Sequence, residues 1–424
     1  MTKWLRFPLW LASTLVLLAP RPLQAGSSKV SYRVLYSFQG QPDGAAPDAG
    51  LIRSASGTLY GTTIAGGTGT CDFYAPGCGT VFVVGSNGRE TVLYSFTGPP
   101  TDGQGPSASL VQDSSGNLYG TTGSGGTGKC YPMGCGTVFK VDTTGTETVL
   151  YSFAGGTDGA GPTGVIRDAN GALYGTTSYG GIDACSSDAA GCGTVFKVDS
   201  SGTETVLYRF TGGADGGFPL AGLVFDAAGN LYGATGTGGT GCGCCGCGVV
   251  FALNPSGRES VLYSFKGLPD GAFPGGGLIW DAEGNLYGTT VRGGKQSHYC
   301  DTGGCGTVFR LAPTGKETVL YRFIGPAGGT GYFPRGALIR DSAGNLYGTA
   351  NADQGGCSCG LVFKLRRTGK LAVLHKFTGG TDGRSPAAPL IRDPKGILYG
   401  AAGAGGSGAS CEGSGCGTVF KLTP

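Results

Sequence analysis

The chain has 424 residues, 88 of them glycine and 16 cysteine, and a formal net charge of +3. Three of its 30 basic residues, Lys3, Arg6 and Arg21, precede Gly26 with no acid among them, and the remainder balance 27 acids. A neutral chain with no basic run excludes the electrostatic footprint of a nucleic-acid or membrane-surface binder, and glycine without a three-residue period excludes collagen.

Met1 to Ala25 reads as a secretory signal: Lys3 and Arg6, an apolar run through Leu18, then Leu23-Gln24-Ala25 as a small-residue cleavage site. The run is shorter than the about 20 residues a membrane-spanning helix needs. No later segment is apolar and long enough to anchor the chain. The expected product is therefore a single exported domain over residues 26–424, secreted, extracellular or periplasmic, monomeric and without membrane insertion.

Val30 to Phe38 comes next, rich in β-branched and aromatic residues, and its Val-Leu-(Tyr/His)-x-Phe core returns six more times, beginning at Val92, Val149, Val206, Val261, Val319 and Val373. Two other segments also occur seven times. Leu-Tyr-Gly starts at Leu59, Leu118, Leu173, Leu231, Leu286, Leu346 and Leu398, and Cys-Gly-x-Val-Phe starts at Cys78, Cys135, Cys192, Cys247, Cys305, Cys359 and Cys416. A period this long, with several strands per copy, points to propeller blades or a solenoid.

Each copy offers four strands, in the third copy Gly164 to Asp168, Leu173 to Thr177, Gly193 to Asp199 and Glu204 to Phe210. Four short strands make the blade of a β-propeller. The Asp-x-x-Gly segments, such as Asp113 to Gly116 and Asp226 to Gly229, supply an acceptor side chain and a residue tolerant of positive φ, the chemistry of a capped turn. The chain enters at a fourth strand and leaves at Gly417 to Leu422, a third strand. The expected fold is thus all-β: a seven-bladed propeller of four antiparallel strands per blade, its ring closed by the N-terminal strand pairing with the C-terminal strand.

The repeated Gly-Thr-Val-Phe-Lys-Val, Glu-Thr-Val-Leu-Tyr-Ser-Phe, Thr-Asp-Gly and Asp-x-x-Gly-Asn-Leu-Tyr-Gly-Thr-Thr segments resemble the GloVer (Gloeo/Verruco) tandem repeat of bacterial exported proteins, over Val30 to Pro424. The resemblance implies a bacterial surface or secreted propeller, often with a C-terminal sorting anchor; here the repeats run to Pro424. It brings no established activity, so function rests on the residues.

The cysteines fall in one connection per copy, between the Leu-Tyr-Gly and Gly-Thr-Val-Phe strands, and an even count behind a secretory signal favours disulfides. The expected pairs are Cys71 with Cys78, Cys130 with Cys135, Cys185 with Cys192, Cys242 with Cys247, Cys300 with Cys305 and Cys411 with Cys416. Cys357 and Cys359 stand too close for a relaxed loop-closing bridge and read as strained or reduced. Only Cys242, Cys244, Cys245 and Cys247 gather four thiols, the number a tetrahedral metal site needs; two disulfides are the favoured reading there, and no cofactor is expected. Calcium at the repeated Asp-Gly-x-x-Pro acids (Asp43, Asp102, Asp158, Asp215, Asp270, Asp382) is the alternative to a turn-forming role, which is favoured because calcium wants six to eight oxygens at one point.

Residues repeated in every blade hold blades together, and residues peculiar to one are free for function. Glu90, Glu147, Glu204, Glu259 and Glu317 all open a fourth strand at the outer rim, so no glutamate pair faces another as a glycosidase requires. Trp280 replaces the arginine of Arg53, Arg167, Arg340 and Arg392; it either lines the axial channel or, the favoured reading, packs between blades. His375 replaces a strand tyrosine.

Variation concentrates in the cysteine loops. They carry the candidate binding residues Phe73, Tyr74, Tyr131, Tyr179, Asp183, Lys295, His298, Tyr299, Asn351 and Asp353. Tyrosines with a flat apolar face and a polar tip suit a glycan or an extracellular protein. The sequence thus points to a non-catalytic binding propeller. The alternatives are a carbohydrate-active hydrolase or lyase using His298, Asp301 and Asp353, which would have to converge within hydrogen-bonding reach, and a purely structural surface protein.

Overall fold

The computed structural model describes Met1 and residues 30–71, 76–130, 133–182, 191–243, 246–298, 300, 302–325, 330–351, 359–408, 411 and 415–424. The predicted leader lies outside these residues, apart from Met1. Among the described residues there is no α-helix, and short antiparallel sheets succeed one another as seven blades. In the third, Ala160–Arg167, Leu173–Tyr179, Thr194–Val198 and Glu204–Arg209 lie side by side in chain order from the inner to the outer strand.

The last blade takes three strands from the C-terminal end, Ile391–Arg392, Leu398–Ala402 and Thr418–Thr423, and its outer strand, Ser31–Ser37, from the N-terminal one. Ser31 lies opposite Thr423 and Ser37 opposite Thr418 in an antiparallel ladder, so the ring closes as the offset of the copies requires.

Repeated residues explain each other once the strands are paired. Gly61 of Leu-Tyr-Gly lies opposite Phe82 of the next strand, and a Cβ on it would stand 2.6 Å from the Phe82 ring. The same glycine–phenylalanine seat occurs in the other six blades, at Gly120, Gly175, Gly233, Gly288, Gly348 and Gly400. Each buried phenylalanine then meets, edge-on, the phenylalanine that ends the outer strand of the preceding blade. Phe96 meets Phe139 at 5.0 Å between centroids, Phe210 meets Phe251 at 5.1 Å, and Phe38 meets Phe82 at 5.0 Å across the closing junction. Such pairs contribute roughly 0.5–1.5 kcal/mol beyond the area they bury.

The first-turn aspartates act as caps. Asp113 Oδ1 accepts hydrogen bonds from the N–H groups of Ser115 and Asn117, and its Oδ2 from the Tyr119 hydroxyl. Asp168, Asp226, Asp281, Asp341 and Asp393 likewise accept from their own turns and from the tyrosine of the following Leu-Tyr-Gly. Trp280 stands edge-on to Tyr232 of the preceding blade, centroids 4.7 Å apart, where Arg167 lies over Tyr119 at 5.6 Å. It packs between blades.

Candidate functional site

An up-and-down blade puts the cysteine connections and the Asp-Gly-x-x-Pro turns on one face of the ring and the capped turns on the other. Hydrogen bonds tie the first two sets together. The carbonyls of Cys416, Cys78, Cys135, Cys192, Cys247, Cys305 and Cys359 accept the N–H groups of Ala46, Gly105, Gly161, Phe218, Phe273, Phe333 and Ser385, each in the next blade. All seven donors have φ between 53° and 67°. The proline that follows rests on the glycine after the cysteine; a Cβ on Gly193 would stand 2.7 Å from Pro219 Cδ.

The cysteines themselves are bridged as expected where both partners are described: Cys71–Cys78, Cys130–Cys135, Cys242–Cys247, Cys300–Cys305 and Cys411–Cys416, with Cα–Cα distances of 5.0–5.4 Å. Cys192 and Cys359 are disulfide-bonded too, so Cys359 is not reduced; Cys185, Cys244, Cys245 and Cys357 lie outside the described residues. This many bridges fit folding in an oxidising compartment, extracellular or periplasmic.

The Asp-Gly carboxylates serve their own turns. Asp102 accepts from the Tyr94 hydroxyl at 2.9 Å and from the Thr97 N–H at 2.7 Å, and the pattern repeats at Asp43, Asp158, Asp215 and Asp270. At the seventh position His375 takes the tyrosine's place, bonding Asp382 and stacking on Tyr32 at 3.7 Å. Among the described residues no three His, Cys, Asp or Glu side chains are grouped to hold a metal ion.

With the repeated residues committed to packing, the residue after each turn proline is the one that differs from blade to blade. Asp48, Ser107, Thr163, Leu220, Gly275, Arg335 and Ala387 occupy that position and ring an axial cavity of about 400 Å³. Asp48 opens onto the cavity but is walled by protein. Burial pushes its carboxyl up to about 6, and Arg335 pulls against that shift. The reading of the cysteine loops overlooked this ring, although its signal was in the sequence: one variable position inside an otherwise repeated segment.

The same face carries exposed apolar side chains. Tyr179 is 46% exposed and edge-on to Phe218 at 5.6 Å, with Ile182 and Leu220 also exposed on these two blades and Leu268 on the next turn. Arg292 lies over the Phe273 ring at 5.6 Å.

Of the predicted site residues, Tyr179 reaches Phe218, two residues before Leu220 of the axial ring. Lys295 and His298 are exposed in the segment leading into the Cys300–Cys305 bridge, and the Asn351 carbonyl accepts the Tyr332 N–H. Phe73, Tyr74, Tyr131, Asp183, Tyr299 and Asp353 lie outside the described residues, as does Asp301, so of the catalytic alternative only His298 is placed.

The rim glutamates hold a feature that spacing did not reveal. Burial first, and then the Asp-Gly carboxylate of the preceding blade, raises Glu90, Glu147, Glu204, Glu259 and Glu317 to about 7.

A family model described as the Gloeobacter/Verrucomicrobia repeat matches residues 24–187, 133–325 and 297–424. No curated protein matches the chain. Among solved structures, PorZ, a surface component of the type-IX secretion system of Porphyromonas gingivalis, is similar at 13% identity and a TM-score of 0.50, over 91% of this chain and 47% of PorZ. A gluconolactonase from Xanthomonas campestris is similar at 17% identity and a TM-score of 0.41, over 81% of this chain and 90% of that one. A luciferin-regenerating enzyme is similar at 14% identity and a TM-score of 0.42, over 77% and 92%. At such identities the likeness concerns the fold alone.

Proposed function

The chain belongs to the Gloeobacter/Verrucomicrobia repeat family, and on that premise we propose that it is an exported, non-catalytic recognition propeller that binds a glycan through its disulfide-closed face. One observation carries the reading. The side chains that differ between blades, Asp48, Ser107, Thr163, Leu220 and Arg335, gather around the axial mouth, and the exposed Tyr179 packs on Phe218 of the turn that carries Leu220.

An exposed aromatic face next to hydroxyl, carboxylate and guanidinium groups suits a sugar, whose ring faces are apolar and whose edges are polar. Disulfides and interblade hydrogen bonds hold these groups before a ligand arrives, which lowers the ordering cost of binding. The predicted loop residues Lys295, His298 and Asn351 extend the same face.

A glycan array and a pull-down, both with the protein lacking residues 1–25, test this. Binding that weakens at least tenfold in Tyr179→Ala and Arg335→Ala supports it. Capture of a protein with no glycan bound would replace the glycan by a protein partner, and blanks in both assays would refute the binding role.

A further inference from the structure

We propose that the crevice between the fifth and sixth blades, on the face opposite the disulfides, is a binding site for an oxyanion (phosphate, sulfate or carboxylate) carried on a molecule of about monosaccharide size. The site is separate from the disulfide face and independent of its role.

Four arginines line it. Arg310 comes from the third strand of the fifth blade, Thr307–Leu311, and Arg340 ends the inner strand of the sixth, Ile339–Arg340. Arg366 and Arg367 form the turn before the sixth blade's outer strand, Leu371–Lys376. All four line one cavity of about 520 Å³, within the usual range of small-molecule sites. Arg340 lies over the Tyr287 ring at 5.9 Å. A Cβ on Gly344 would stand 3.3 Å from Arg340 Nη2 and 3.5 Å from Arg367 Cδ, so these two side chains meet over the same turn.

This positive charge is only partly offset from within, four arginines standing against two acids. Two acids share the cavity wall, Asp281 and Glu283. Asp281 is spent on the Asn285 amide and the Tyr287 hydroxyl, and Glu283 is exposed on the turn. Among the described residues no carboxylate lies within ion-pairing distance of any of the four arginines. The Nε atoms of Arg310 and Arg340 are buried without a hydrogen-bond partner. Both side chains are half-buried, and a buried donor without a partner is costly; an arriving anion would engage these arginines through the forked, often bidentate contacts that guanidinium groups favour.

Arg340 is the recurring interblade arginine, as Arg167 is over Tyr119, and comparison among the blades sets Arg366 and Arg367 apart. The turn occupied by Arg366-Arg367-Thr368-Gly369 reads Asp142-Thr143-Thr144-Gly145 in the second blade and Asp199-Ser200-Ser201-Gly202 in the third. In those two, the aspartate caps its own turn by accepting the N–H groups of Thr144 and Thr146, or of Ser201 and Thr203. The sixth blade lacks that cap and carries two cations beside the crevice instead.

The test is titration calorimetry of the chain without residues 1–25, using glucose 6-phosphate, glucuronate, galactose 6-sulfate and neutral glucose at low and physiological salt. At least one charged sugar should bind, weaken several-fold as salt rises, and exceed glucose at least tenfold; which of the three binds best identifies the anion. The paired substitution Arg366→Asp with Arg367→Thr installs a turn that the protein already uses in its second blade. It should melt like the parent and lose at least tenfold in affinity, while Arg89→Ala, which removes an exposed cation beside the corresponding turn of the first blade, leaves the affinity unchanged. No binding by any charged sugar, equal binding of glucose, or undiminished affinity in the paired variant would overturn the proposal.

Discussion

Phe218 donates its backbone N–H to the carbonyl of Cys192, 2.9 Å away in the preceding blade. The residues that follow them, Pro219 and Gly193, meet as well, so two consecutive contacts fasten one blade to the next. A Cβ on Gly193 would stand 2.3 Å from the Thr177 carbonyl oxygen and 2.7 Å from Pro219 Cδ, at a φ of +89°. Gly193→Ala should therefore destabilise the protein by about 2–6 kcal/mol, combining backbone strain with overpacking. Urea unfolding reads this directly; an unchanged midpoint would mean that the junction yields freely.

Ring closure makes a second prediction. Removing residues 30–38 deletes the whole outer strand of the last blade, including the fully buried Phe38 and the Tyr32 ring stacked on His375. Loss of one buried phenylalanine alone costs about 3–5 kcal/mol, and the deletion also bares the edge of Thr418–Thr423 to pairing with other chains. The shortened protein should melt well below the parent and aggregate. Melting alongside the parent as a monomer would contradict closure.

Disulfides act more modestly. Cys130 and Cys135 close a ring of sequence separation 5, for which the chain-entropy relation gives about 2 kcal/mol. Replacing both by serine should lower unfolding stability by that amount and leave the blades intact by circular dichroism, because the Cys135 carbonyl still accepts the Gly161 N–H.

Stability should fall as pH rises from 5 to 8. The five rim glutamates have folded values near 7 against 4.5 for a free side chain. Each binds its proton more tightly when folded, so its contribution is whole below pH 4.5 and is lost as pH climbs through 7. His375, lowered by burial against the pull of Asp382, works the other way below its unfolded value, one group against five. Melting temperatures across this range check the slope, and replacing all five glutamates by glutamine should flatten it.

The sequence by itself determined the architecture, because every blade uses the same local chemistry and states it seven times. Aspartate capping its turn and cysteines closing a short loop act between residues near in the chain, so spacing alone exposes them. The tertiary structure decided what gathers at a distance. Asp48 and Arg335 share one cavity wall only because the ring closes, and Arg310 meets Arg366 only because adjacent blades turn their edges together. Tyr32 finds His375 in the same way, across a junction joining the two ends of the chain. Electrostatic and apolar contacts of this kind depend on separation in space, which a repeat pattern leaves open until the blades are packed around their axis.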